Sequence, residues 1–328
     1  MKKLILVPFL FIALSCFSQE RIAYSDTTKY YQFSVNYWFN MHHFLWVEAF
    51  MNQEVDSTMI DMELDADAKS ELKAAVDYYR NKLVAEDLRM SDYQTAFKNW
   101  ITNKEATLDE IPNQFNTHMK VLKKFSPTYN HAFWNDHLRA CKRVLQENIP
   151  LIRATEESYV DQITKLTRQF WDFDPIKVDV TIYAKSSDWN LRNRPYTSIF
   201  PTHVVMNAAG ENDVQGNWTE LLYHESAHHL ILSSNYFIGG TIRDLVEVKG
   251  YKTPRQLWHA ILFYFTGEIS RDLFEAEGLS YPETYMQRNN VFSGFHTLLE
   301  KHFSPYMDRK IILAEAVDGF IQEASKEN

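Results

Sequence analysis

The chain has 328 residues, of which 45% are hydrophobic and 15% aromatic, so it can bury a core as one large domain or two modest ones. Only 9 glycines and 10 prolines argue against a loop-rich or all-β architecture and favour long helices. A net charge of −9, with no basic cluster, argues against a nucleic-acid partner.

The first nineteen residues have the pattern of a secretory signal. Two lysines precede an apolar run from Leu4 to Leu14, and small and polar residues follow. The run is too short for an ordinary spanning helix, and no second long run follows, so we expect no membrane span in the mature chain. Cleavage after Gln19 predicts an exported protein, periplasmic or secreted. The alternative is a lipoprotein acylated at Cys16, which Ala13 disfavours because leucine is expected there.

Cysteine usage gives no disulfide framework. If Cys16 leaves with the signal, Cys141 is the only cysteine, so no intrachain disulfide is expected even in an oxidising compartment. Cys141 lies in a predicted helix, and we interpret it as a small buried hydrophobe rather than a nucleophile.

From about Tyr30 to Phe173 the hydrophobic period is helical, so residues 20–173 are predicted to form a helical N-terminal subdomain. The acidic run Asp61–Asp67 is interpreted as a solvated helix entry. Pro150 fits the first turn of a helix, where its missing N–H is not needed. The predicted helices cover Phe33–Phe50, Asp65–Asp87, Met90–Thr102, Pro127–Glu147 and Pro150–Phe173.

Residues 174–328 begin with β-branched, alternating segments and return to helical periodicity. Strands are predicted at Val178–Ala184 and Thr202–Ala209. A helix over Trp218–Leu232 follows, with Asn217 as N-cap and Glu220 as its capping-box partner. Later helices are predicted at Thr241–Val248, Pro254–Glu275, Tyr281–His302 and Asp308–Ala324. The pattern predicts an α+β fold, predominantly helical, with a small sheet before the Trp218 helix.

That helix contains the sequence His224-Glu225-Ser226-Ala227-His228. Two histidines four positions apart stand on one helix face, so their ring nitrogens can converge on one zinc ion. Glu225 projects beside them, where it can act as the general base for a zinc-activated water. A catalytic zinc normally takes three protein ligands and keeps one open position, so a third ligand is expected elsewhere in the chain.

With this motif the chain resembles the HExxH zinc metallopeptidases, the zincins. The longer motif of the metzincins is absent, because Ser234 stands at the position of its last histidine. The chain is more similar to the gluzincins, whose third ligand is a glutamate on a later helix. That resemblance implies a zincin-like metal-binding region over residues 174–328, and Glu247, with eighteen residues intervening after His228, matches a spacing of that group.

His259 is the competing third ligand. It lies in the nearly all-apolar segment Pro254–Glu268, which predicts a buried helix, and a buried imidazole needs a polar partner or a metal. This stretch also resembles a bacterial set of HExxH proteins with a Leu-Trp-His-Ala helix after the motif. Residues 40–45 (Asn-Met-His-His-Phe-Leu) and 305–308 (Pro-Tyr-Met-Asp) match that set as well. We place His259 ahead of Glu247 and keep both.

Other residues carry weaker assignments. Tyr264, or the unused member of the His259/Glu247 pair, is a candidate for stabilising the oxyanion. Asp244 is a candidate partner for the second nitrogen of a ligand histidine. We expect His42 and His43 to lie in the core, with one of them lining the cleft as the alternative. His229 is expected to point away from the metal. The strand Thr202–Ala208 is a candidate for binding an extended peptide by strand addition.

The sequence thus predicts an exported zinc-dependent hydrolase, most simply a peptidase that acts on a peptide or protein substrate. One alternative is a zincin-like binding protein with a structural metal or none. Another is a zinc hydrolase of non-peptide amides or esters, which would use the same residues.

Overall fold

A computed structural model describes residues 21–51, 64–103, 108–171, 175–184, 194–199, 201–209, 214–231 and 236–325. The predicted signal and Cys16 lie outside these ranges. The strands are β1 (Ile22–Thr27), β2 (Tyr31–Asn36), β3 (Ile176–Thr181), β4 (Tyr196–Ile199) and β5 (Thr202–Asn207). The α-helices are α1 (Tyr37–Met51), α2 (Ala66–Lys82), α3 (Asp92–Ile101), α4 (Asn116–Tyr129), α5 (Asn135–Thr167), α6 (Asn217–Ala227), α7 (Phe237–Lys249), α8 (Leu257–Ala276), α9 (Tyr285–Arg288), α10 (His296–Met307) and α11 (Leu313–Ala324). The predicted α+β class with helices dominant is confirmed.

The five strands form one mixed sheet in the order β1-β2-β3-β5-β4. β2 pairs with β3 and β3 with β5 in parallel, while the two outer strands pair antiparallel. Strands from both sides of residue 174 therefore share one sheet, and residues 20–173 are not wholly helical. The sequence prediction omitted β1, β2 and β4. It extended a helix back to Phe33, because the aromatic run through β2 and α1 has no clear break in its period.

The sheet separates two helical layers. On one face, Tyr31 and Phe33 of β2 contact Tyr223 and Trp218 of α6 through their rings. On the other face, Ser34 donates to Asp179 of β3 at 2.5 Å, and Asp179 contacts His203 at 2.8 Å. Phe39 of α1 stacks on that histidine. The layer of α6 includes α5 and α8, and the layer of α1 includes α2, α3 and α4.

One continuous helical rod belongs to both layers. α4, a π-helical turn (Asn130–Trp134) and α5 follow one another without a break, over about 75 Å. Pro127 and Pro150 lie inside this rod, so the predicted break before Pro150 is wrong. Pro150 is exposed, and water can satisfy the carbonyl that its missing N–H leaves free. The rod ends at Thr167, before the predicted Phe173, because Arg168 turns left-handed with φ 51°.

The C-terminal helices cover the face of α8. The predicted helix Tyr281–His302 is instead divided into α9 and α10. Asn290 and Phe292 adopt left-handed φ values of 51° and 53°, which a helix cannot accommodate. None of the helices in the described ranges combines the length and the apolar composition that a membrane span requires.

Candidate metal centre

Helix α6 carries the first four residues of the HExxH motif and ends at Ala227, before the predicted Leu232; His228 begins the 3₁₀ turn His228–Leu230 that follows. The helix is held from behind by α5 and β2. Tyr223 stacks on Tyr159 of α5 with ring centroids 4.1 Å apart, and the Tyr159 hydroxyl donates to the Tyr223 carbonyl at 2.9 Å. The hydroxyl of Ser226 lies 3.1 Å from that of Tyr31 on β2. The two His and the Glu of the motif lie on the opposite side of α6, so these contacts fix the direction in which they project.

The start of α6 differs from the prediction. Gly216, with φ 94°, takes the N-cap position, and Asn217 is the first helical residue. Glu220 therefore closes no capping box. Its carboxylate accepts hydrogen bonds from the Tyr281 hydroxyl at 2.7 Å and the Tyr285 backbone N–H at 2.9 Å. These bonds tie α6 to the segment that contains α9.

Three histidines converge at the end of α6: His224 from α6, His228 from the 3₁₀ turn after it, and His259 from α8. His224 and His228 are one turn apart, with ring centroids 4.8 Å apart. His259, in the first turn of α8, brings its Nε2 to 3.0 Å from Nε2 of His224. One ring nitrogen from each lies within 4.8 Å of the other two. Glu247 is exposed on α7 and does not belong to this group.

The spacing of these nitrogens suits a zinc ion. Tetrahedral zinc with Zn–N bonds of about 2.0–2.1 Å separates its nitrogen ligands by about 3.3 Å, so small ring movements would satisfy the geometry. Burial lowers the pKa of all three imidazoles, to about 4 for His259 and well below the ordinary value for His224 and His228. Neutral imidazoles offer the lone pair that a metal requires.

Apart from the contact between the Nε2 atoms of His224 and His259, the orientation of the His224 and His228 rings is set by packing. The Nδ1 atoms of His224 and His228 are buried and have no hydrogen-bond partner among the described residues. Asp244, the predicted partner, is 65% exposed and pairs with Arg243. This assignment is wrong because Asp244 lies on the solvent side of α7.

Aromatic rings enclose the cluster instead. Phe263 stacks on His224 with centroids 3.6 Å apart and planes 19° apart. Trp258 stacks on His259 at 5.0 Å, and Phe292 meets the same ring edge-on at 5.6 Å. These contacts restrict ring rotation and lower the local dielectric, which strengthens any charge interaction at the cluster.

Glu225 lies against the cluster and is held by the edge strand β4. Thr197 Oγ1 lies 2.9 Å from Oε2 of Glu225 and 2.7 Å from its backbone carbonyl, so this hydroxyl fixes both the side chain and the helix. The same Oε2 is 3.7 Å from Nε2 of His228. Burial raises the pKa of Glu225 to about 7, against the opposing effects of the Thr197 hydrogen bond and the Arg89 charge.

Arg89 and Arg194 are the charged residues of the site that sequence reasoning missed. Burial is the main cause of the low pKa of His259, and the charges of Arg89 and then Arg194 add to it. Arg89 follows α2 in a turn, and its backbone carbonyl accepts a hydrogen bond from Ser198 of β4 at 3.2 Å. No sequence signal marks Arg89, because it lies more than one hundred residues before the motif.

Tyr264 is not brought to the cluster. It lies on another face of α8, where burial raises its pKa and Glu268, Glu300 and Ser304 are its neighbours. The oxyanion role predicted for Tyr264 is therefore wrong. The periodicity of α8 could have shown this, since positions 259 and 264 are not on one helix face.

The other predicted residues lie in the core or away from the cluster. His42 and His43 are fully buried, bonded to Tyr79 and Tyr196 respectively, so the core prediction is confirmed. His229 Nδ1 contacts the Ser226 carbonyl, away from the cluster. β5 is interior to the sheet, which rules out strand addition there, and β4 forms that edge. The core prediction for Cys141 is also confirmed, since it is a fully buried free thiol.

No protein-family model matches this chain, and neither a curated protein nor a solved structure does.

Proposed function

We propose that this protein is a zinc-dependent hydrolase of the zincin type that cleaves amide bonds in peptides. His224, His228 and His259 are the metal ligands, and Glu225 is the general base. The observation that carries the proposal is the convergence of three histidines on one point, with the Glu225 carboxylate 3.7 Å from one of them. We place His259 rather than Glu247 as third ligand on the same ground.

When bound, zinc lowers the pKa of a coordinated water and polarises the substrate carbonyl. The protein's own part is proton transfer by Glu225. Its carboxylate lies beside the proposed ligand His228, where it can accept a proton from the attacking water and return it to the leaving amine. Thr197 holds the carboxylate in position, and Phe263 and Trp258 stack on the rings of His224 and His259 and limit their rotation.

Export of the mature protein is part of the proposal. It rests on residues 1–19, with Cys16 lipidation as the alternative, and mass spectrometry of the mature N-terminus distinguishes the two. The substrate is then an extracytoplasmic peptide or protein, and non-peptide amides or esters are further substrates of the same chemistry.

A zincin-like binding protein with a structural metal or none is the second candidate. It is favoured by the buried Nδ1 atoms of His224 and His228, which find no hydrogen-bond partner in the described part of the chain. Histidines that bind a metal almost always donate this N–H to a carboxylate, a carbonyl or water, so these Nδ1 atoms favour the form of this candidate without a metal.

Metal content and turnover of matched variants test the proposal. We expect one zinc per chain in the wild type and in Glu225→Gln, and loss of zinc in His259→Ala. Glu247→Gln is the matched control, because it alters the rival ligand at an exposed position and should keep both zinc and activity. Zinc is measured by inductively coupled plasma mass spectrometry, and turnover by mass spectrometry of a mixed peptide library.

Each outcome bears on a separate claim. Full zinc occupancy in His259→Ala would refute the ligand set. Undiminished turnover by Glu225→Gln would refute the role of the base. Stoichiometric zinc without turnover of any peptide, amide or ester would favour the binding protein.

A further inference from the structure

The C-terminal ends of α5 and α10 meet around an open cavity of about 540 Å³. The Tyr306 hydroxyl of α10 donates to the Leu166 carbonyl of α5 at 2.6 Å and joins the two helices there. The volume lies within the range of about 300–1,000 Å³ that is typical of small-molecule sites. We call this cavity the α5–α10 pocket. Among the described residues, the pocket and the histidine cluster have no member in common, so they are separate sites.

The α5–α10 pocket is cationic. Lys165, Arg168 and Arg309 line it, and none of the described lining residues is acidic. Lys165 pairs with Asp161 at 2.5 Å, whereas neither arginine forms an ion pair with a described residue. Helix C-termini repel anions, but each of these two ends carries only about half a negative charge. The two arginines therefore keep the pocket positive, in a protein whose net charge is −9.

Both arginines occupy backbone positions that favour glycine. Arg168 (φ 51°) is the C-cap of α5, and Arg309 (φ 60°) follows the C-cap of α10. A helix that ends in a left-handed residue usually has glycine there, as α7 does at Gly250. The Arg168 guanidinium lies over the ring of Phe237, 4.3 Å from its centroid. A guanidinium stacked in this way keeps its N–H donors in its own plane, where they can meet an anion.

The rest of the pocket wall is apolar and offers few acceptors. Four aliphatic or thioether side chains line it, namely Leu166, Met307, Ile311 and Ile312. Apart from the Tyr306 hydroxyl, which already donates, the Gln162 amide supplies the remaining oxygen acceptor among the described lining side chains. A sugar, a nucleoside or a peptide backbone would bring donors that find few partners here, and an unmade hydrogen bond is costly. An aliphatic chain has no donors to satisfy, and it would cover apolar surface such as Ile312, which is 59% exposed.

We propose that the α5–α10 pocket binds an unesterified fatty acid, with its carboxylate held by Arg168 and Arg309 and its chain on the apolar wall. A guanidinium presents paired donors that match both oxygens of a carboxylate. Met307 suits the chain because its flexible thioether adapts to different shapes. The pocket is a concave cavity rather than a flat face, which favours a single acyl chain over the surface of a membrane. This inference does not depend on the proposed hydrolysis.

Isothermal titration calorimetry of the mature protein with decanoate tests the proposal. EDTA is present throughout, so that the carboxylate cannot bind a metal at the histidine cluster. We expect one decanoate per chain, with a negative heat-capacity change because apolar surface is buried. Decanol lacks the charge and acetate lacks the chain, so each should bind at least about 10-fold more weakly.

Two substitutions test the two parts of the pocket. Arg309→Gln should weaken decanoate binding about 3- to 5-fold, because an ion pair at an exposed side chain contributes modestly. Ile312→Ser removes part of the apolar wall and should weaken binding by a similar factor, while serine suits the N-cap position that Ile312 occupies in α11. Arg139→Gln is the control, because this arginine is 77% exposed and lies about 40 Å from Arg168 along α5. Circular dichroism checks that each variant is folded.

Equal affinity for decanoate and decanol, or an affinity that either Arg309→Gln or Ile312→Ser leaves unchanged, overturns the proposal. Acetate binding as tight as that of decanoate would also overturn it, because the pocket would then bind simple anions. Sedimentation with phosphatidylglycerol vesicles tests the other source of a charged acyl chain. Co-sedimentation without decanoate binding would assign this surface to a membrane and refute the fatty-acid site.

Discussion

Replacing Glu220 with glutamine removes a carboxyl group that is buried one turn before His224. Glu220 is 1% exposed and accepts hydrogen bonds from the Tyr281 hydroxyl and the Tyr285 N–H. Burial raises the pKa of Glu220 to about 7 from an ordinary value of 4.5, more than the opposing hydrogen bonds from Tyr281 and Tyr285 lower it. Glutamine keeps an acceptor oxygen for these donors but cannot ionise.

The sign of the effect follows from proton linkage. Between pH 4.5 and 7 the unfolded chain ionises at Glu220 while the folded chain stays protonated, so the free energy of unfolding falls as pH rises. A difference of this size corresponds to about 3 kcal/mol in total. Below pH 4.5 this contribution of Glu220 to stability is fully present, and above pH 7 it is lost.

Urea unfolding at pH 5, 6, 7 and 8, followed by tryptophan fluorescence, measures the effect. EDTA is present throughout, so that metal binding adds no pH dependence of its own. Relative to the wild type, Glu220→Gln should gain about 2–3 kcal/mol across this range. The control is Glu157→Gln, which removes a carboxylate that is 73% exposed and should follow the wild type. A constant difference between Glu220→Gln and the wild type at every pH would refute the reasoning.

Two further substitutions test the packing. Gly267→Ala should lower the free energy of unfolding, measured in urea, by about 1–3 kcal/mol, because the new Cβ would lie 2.9 Å from Cβ of Thr284. Gly294→Ala is the control, because its Cβ meets open space and should change stability little. Equal effects of the two substitutions would contradict this account. Pro150→Ala should raise the free energy of unfolding by about 1–2 kcal/mol, because it restores a hydrogen-bond donor for the Gln146 carbonyl inside α5. A loss of stability would contradict this prediction.

The residues of the site that are close together in the chain could be predicted from the sequence. His224 and Glu225 lie in α6 and His228 in the 3₁₀ turn that continues it, so local helical geometry alone places them on one side. His259 could be nominated because an imidazole in an apolar helix needs a partner. Thr197 could not, because it reaches Glu225 only after β4 joins the edge of the sheet.

The same limit explains the errors in the fold. β2 pairs with β3 across more than one hundred residues, and neither partner signals the other in sequence. Pro150 predicts a helix start from local chemistry, but the apolar face formed by Leu145, Ile149 and Ile152 continues through it, and burial of that face outweighs the lost hydrogen bond. Tertiary packing, which cannot be read from a single sequence, determined both the β2–β3 pairing and the course of the helix through Pro150.

The rod formed by α4 and α5 has a consequence for the cooperativity of unfolding. It packs on α2 and α1 at one end and on α6, α8 and β2 at the other, so neither helical layer can open without disturbing it. Amide hydrogens near the middle of α5 should therefore exchange with solvent only through global unfolding, while those near the ends of α7 and α9 exchange through local opening. The slowest-exchanging amides of the protein are then those of α5, directly behind the histidine cluster. The helices α6 and α8, which carry the proposed metal ligands, would thus pack against the most rigid element of the fold.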